Sequence, residues 1–171
     1  MARATARLMA LTSDIVATYK GPSKVIGRFL AQGRNEVRAL LFVLIAGVLM
    51  FIAAAPYQAR EAQLNPAGPL EARLYWSAFL FIFIIPLLLY GLAALIWVVT
   101  KVARMPVSGF EVRFTLFWAL LASAPVMLLF GLVAGLIGQG VQLQLVSFIW
   151  LAVFGWFWIS GLLVAARTEA A

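Results

Sequence analysis

The chain has 171 residues, of which 65% are hydrophobic and 11% charged, against about 45–50% and about 25% in a soluble domain. That apolar excess is too large for one soluble core and fits long membrane spans, so 13 basic against 6 acidic residues (net +7) reads as loop charge beside anionic lipid rather than as a nucleic-acid footprint. Cysteine and histidine are both absent, which excludes disulfides, thiol nucleophiles, covalent haem attachment, histidine metal ligands and the usual general base near neutral pH.

Residues 1–38 form a basic, amphipathic preamble, expected to be cytoplasmic. In its first part Leu8, Leu11, Ile15 and Tyr19 recur at spacings of three and four, which predicts a helix with one apolar face. Gly21-Pro22 breaks it, and Pro22 suits the first position of a second helix. There Val25, Ile26, Phe29 and Leu30 make one face, Lys24 and Arg28 the other, and Gly33 can close it. Such helices can lie in the headgroup layer or pack on the end of a bundle, and the two readings are compatible. The long apolar run begins only at Ala39, so the preamble does not read as a signal peptide; a mitochondrial transit peptide is the weaker alternative.

Four uncharged apolar runs follow, at about 39–55, 74–99, 114–137 and 143–166, with a short tail at 167–171. Each is near the length a spanning helix needs, roughly 17–25 residues. The expected fold is an all-α integral membrane protein: a four-span helix bundle over 39–166 behind the amphipathic segment. Only Gly138 to Gln142 separate the third and fourth runs, which makes them antiparallel neighbours.

Basic residues set the orientation. Seven precede the first run, three lie between the second and third, and one follows the last; only Arg60 and Arg73 fall on the other side. The positive-inside rule then places both termini in the cytoplasm.

The runs contain no ionisable relay group of the acidic or basic kind, and no catalytic, cofactor or metal site is expected. Ser77, Ser123, Ser147, Ser160 and Tyr90 are the main polar side chains at depth, and serine there usually bonds a helix carbonyl. Pro86 and Pro125 sit near the middle of the second and third runs. They set helix shape, or they frame a substrate cavity between two kinks. Gly131, Gly135 and Gly138 make a small-residue face, for a neighbouring span or for self-association. Gln139, Gln142 and Gln144 cap the external turn, and tryptophans flank the second run as interface anchors.

The order of motifs resembles the Yip family, the Ypt/Rab-interacting membrane proteins, in its bacterial branch. The resemblance runs from about Asp14 to Ala166. It is carried by Tyr19-Lys20-Gly21-Pro22, by Arg34-Asn35-Glu36-Val37-Arg38-Ala39-Leu40, by Ser108-Gly109-Phe110 after the proline-containing second run, and by Phe117 to Pro125. It implies a small multispanning protein tied to membrane organisation, in a bacterial inner membrane. The acidic residues usual before the Gly-Pro motif are missing, with Tyr19 and Lys20 in their place, which counts against a Rab-type GTPase as partner. Five spans are commonly ascribed to the family, and four are counted here. The expected function is non-enzymatic: organising lipid bilayer or membrane-protein partners through the basic cytoplasmic face. The rivals are a small transporter or channel, and an accessory subunit or assembly factor of a larger membrane complex.

Overall fold

The computed structural model describes residues 2–65 and 69–168, with no side chain described for 2–8 or 168. Leu8 of the first apolar face and residues 169–171 of the tail therefore lie outside the described side chains. Among the described residues every regular element is helical: α1 (Ala2–Lys20), α2 (Pro22–Ala31), α3 (Glu36–Leu64), α4 (Leu70–Val102), α5 (Gly109–Ala122), α6 (Ala124–Leu136) and α7 (Val141–Thr168). Three of them, α3, α4 and α7, are long and apolar enough to cross a membrane, and the bent pair α5–α6 makes a fourth candidate.

The ends of these helices follow from local chemistry. Asn35 caps α3, its side chain accepting the Arg38 N–H at 3.0 Å. Ser108 and Glu111 form a capping box at α5, the Glu111 carboxylate accepting the Ser108 N–H at 2.8 Å. At the end of α6, Gly138 takes φ +92°, a left-handed conformation that a residue with a β-carbon adopts only under strain.

Helix α3 extends beyond the apolar run 39–55 at both ends and carries Pro56 inside it. Helix α4 is continuous through Pro86, but its turn at Leu80–Ile84 is widened, with the Ile85 N–H reaching back to the Leu80 carbonyl. A proline ring crowds the carbonyl four residues before it, and a π turn just upstream relieves that crowding.

The largest departure from the sequence expectation concerns the third run. A single helix over Phe114–Ile137 is expected; instead the chain forms two helices bent by 50°. Ser123 ends the first, and Pro125 sits in the opening turn of the second, where its missing N–H costs no helical bond. Helix α5 starts earlier than expected, at Gly109, and is buried on nearly all sides: every side chain from Phe110 to Ala122 is buried except Arg113, which is half-buried. A helix apolar all round must be covered by protein or by lipid, and here α3, α4 and α7 with α1 provide the cover.

The core is accordingly centred on α5. Trp118 is fully buried, with its ring 4.8 Å from Phe29 of α2 and 4.9 Å from Phe42 of α3. The outward faces of α4 and α7 stay apolar yet bare. Phe83, Leu87 and Leu95 on α4, and Phe148 and Ile159 on α7, are more than half exposed, far more exposed apolar side chain than a water-soluble monomer presents.

Candidate functional site

The preamble is a helical hairpin laid against the bundle. Its break falls at Gly21, with Pro22 opening α2 as the sequence suggests. The inner faces of both helices are used for packing. Ile26 is fully buried, Val25 and Phe29 nearly so, and α2 runs along α7. At Gly161 of α7 a β-carbon would stand only 2.9 Å from Ile26 Cδ1 and 3.0 Å from Thr115 Cβ, so glycine there lets α2, α5 and α7 meet. Tyr19 lies edge-on to Phe157, centroids 4.9 Å apart. Its hydroxyl is buried with no hydrogen-bond partner among the described residues, and that desolvation pushes the phenol pKa up.

The outer face of the hairpin is basic. Lys20, Lys24 and Arg28 are exposed, and with Ala17, Gly21 and Val25 they line a cleft of about 410 Å³ between the two helices. Arg28 pairs with Asp14 across the hairpin. Lys101 and Arg104, at the end of α4, are exposed as well. An ion pair from Arg113 of α5 to Glu36 of α3 joins two helix starts at this same end, and at Gly109, the first residue of α5, a β-carbon would stand 3.7 Å from the Trp97 ring.

The opposite end treats its cations differently. Arg60 donates to the Gly135 and Leu136 carbonyls at 3.4 and 3.3 Å, neutralising the negative end of α6. Arg73 donates to the Asn65 carbonyl at 3.1 Å. Both are spent on main-chain acceptors within the fold.

The glycine face of α6 meets α3. A β-carbon on Gly131 would lie 2.0 Å from the Ala53 carbonyl oxygen, and one on Gly135 would lie 2.3 Å from Pro56 Cβ. Of the two uses open to this face, packing within the chain is the one observed.

Among the described residues, neither Pro86 nor Pro125 lines either cavity described here. Helix α4 packs on α3 and α5, whereas α6 packs mainly on α3 and α7; Pro86 is buried and Pro125 exposed. A cavity of about 520 Å³ lies between α3, α6 and α7, with Phe81 of α4 also in its wall, and neither proline lines it. Its wall is almost wholly apolar, including Met50, Met127, Phe130 and Trp150, with Gln139 and Ser147 as polar exceptions. Ser147 Oγ already donates to the Gln144 carbonyl at 2.7 Å.

Four buried hydroxyls are likewise engaged locally. Thr18, Thr100, Thr115 and Ser123 each donate to a carbonyl three or four residues earlier, the usual resting arrangement for such groups in apolar helices. Among the described residues no cluster of three carboxylates or other metal-ligating side chains forms. Comparison of the chain with protein-family models, with curated proteins and with solved structures finds no match.

Proposed function

We propose that the chain is a four-span membrane protein of the Yip type, with both termini cytoplasmic in a bacterial inner membrane. In this reading it gathers anionic lipid or membrane-protein partners at its basic face and performs no chemistry of its own. The observation that carries the reading is the unequal use of cations at the two ends. Lys20, Lys24, Lys101 and Arg104 stand exposed at one end, whereas Arg60 and Arg73 at the other are bonded to backbone carbonyls. Each free basic residue near an anionic surface contributes about 1 kcal/mol, screened by salt within a Debye length of roughly 8–10 Å. The bent pair α5–α6 serves as the third span, and the bare apolar faces of α4 and α7 meet lipid. The order of sequence motifs supports the Yip assignment.

The accessory-subunit reading has one observation in its favour: the exposed apolar face of α4 would equally suit a partner's helix. A transporter is the weaker rival, because the cavity is apolar and neither proline lines it.

The test is reconstitution of purified protein into vesicles containing a minority of labelled phosphatidylglycerol. Enrichment of that lipid around the protein, weakening with added salt and without solute flux, is expected. Flux above that of empty vesicles would establish the transporter instead, and stoichiometric co-purification of a partner from native membranes would favour the accessory subunit.

A further inference from the structure

We infer that the cleft between α1 and α2 is a binding site for one phosphate group, supplied by an anionic phospholipid headgroup or by a soluble phosphate. This rests on the reading of the basic end as a membrane-facing surface, and it sharpens a diffuse attraction into a single seat.

Three independent features converge on the cleft. The first is charge. Lys20 closes α1, and Lys24 and Arg28 stand one turn apart on α2, so the Gly21-Pro22 break folds three cations around one space. Arg28 has a carboxylate partner in Asp14, while Lys20 and Lys24 have no hydrogen-bond or ion-pair partner among the described residues. Like charges held at such spacing repel, and a bound anion relieves that repulsion.

The second is the backbone. Gly21 is the N-cap of α2 and also lines the cleft. Its missing side chain leaves the space open: a β-carbon there would meet nothing nearer than the Lys24 Cδ at 3.7 Å. The Gly21 N–H already donates to the Ala17 carbonyl and the Lys24 N–H to the Gly21 carbonyl, so the side chains rather than the α2 terminus supply the field.

The third is rigidity and position. The hairpin is fixed from beneath by Ile26, Phe29 and Tyr19 on α5 and α7, so the cations are held in place before a ligand arrives. Its contacts fall on Phe157, Gly161 and Val164, in the C-terminal half of α7, which is the cytoplasmic half of that span in the four-span reading.

The full chain, purified in a neutral detergent, is titrated in native mass spectrometry with phosphatidylglycerol, with phosphatidylcholine of the same acyl chains, and with inorganic phosphate. One phosphatidylglycerol should be retained in preference to phosphatidylcholine. Replacing Lys20→Gln together with Lys24→Gln should weaken retention about thirtyfold, whereas Arg34→Gln with Arg167→Gln, an equal loss of charge at exposed positions that do not line the cleft, should leave it within about twofold. Gly21→Leu should block the cleft without changing charge, and Lys20→Arg with Lys24→Arg should restore binding. Displacement of the lipid by inorganic phosphate would assign the site to a soluble ligand; no displacement assigns it to the headgroup. Retention unchanged in the Lys20/Lys24 variant would overturn the site. Equal weakening in both double variants would also overturn it while leaving the diffuse basic face standing. A wild-type chain that prefers neither phosphatidylglycerol nor phosphate would sink both.

Discussion

The Ala53 carbonyl oxygen of α3 occupies the space that a β-carbon on Gly131 of α6 would need, 2.0 Å from that position. The two helices thus touch backbone to backbone, the kind of close approach that replaces hydrophobic drive where helices associate in lipid. Gly131→Ala should push them apart and cost about 1–3 kcal/mol or more, because the obstructing atom is main chain and has no rotamer to yield. Gly155 of α7 has nothing within 4 Å of such a position. Gly155→Ala should therefore be neutral or stabilising by up to about 1 kcal/mol. Thermal melts in detergent, followed by tryptophan fluorescence, compare the two; an equal response at both positions would contradict this packing.

The seat of the N-terminal hairpin depends on Ile26. Ile26→Ala should cost about 2–5 kcal/mol of local packing. Gly161→Val should have a similar effect from the other side, since Ile26 and Thr115 already crowd that point. Hydrogen exchange over Pro22–Ala31 should rise strongly in both variants while α3 and α6 stay protected. Uniform loss of protection across the chain would mean that the hairpin is integral to global stability rather than a separable cover.

Arg60 acts within the fold rather than as surface charge. Arg60→Ala should lower stability by about 1–3 kcal/mol, the range for hydrogen bonds from a charged donor. Gly138→Ala should also destabilise, through strain at φ +92° and a contact of 2.7 Å with the Arg60 guanidinium carbon. Sharing one contact, the two substitutions should combine less than additively. Arg60→Lys keeps the charge at this position of α3 and should recover only part of the loss. Full recovery by lysine, read in the same melts, would show that charge rather than the carbonyl contacts matters.

The division between what the residues announce and what they conceal has a physical basis. Apolar runs, the Gly21-Pro22 break and the helix-closing Gly33 act locally, and each is readable where it stands. Pro125 is also visible, but a proline can kink a continuous helix or open a new one. The choice depends on what covers Ser123 and Ala122, which local sequence does not encode. Near-complete burial of α5 is hidden for a related reason: a helix apolar all round looks the same whether lipid or protein surrounds it. The same ambiguity affected the preamble, whose apolar faces serve packing on α5 and α7. The Arg60 contacts join residues 75 and 76 positions apart, and the widened turn at Leu80–Ile84 leaves no mark in hydropathy.

Topology bears most directly on the account, and the absence of cysteine makes it accessible to single introduced thiols. Ala103→Cys, Asn65→Cys and Gln139→Cys place one thiol each at exposed positions: between α4 and α5, after α3, and between α6 and α7. They are probed with a membrane-impermeant maleimide on intact cells and on inverted membranes. The four-span account expects Cys labelling at positions 65 and 139 from outside the cell and at 103 only from the cytoplasmic face. Labelling of positions 103 and 139 from the same face would contradict it, because the bent α5–α6 pair would then enter and leave the membrane on one side.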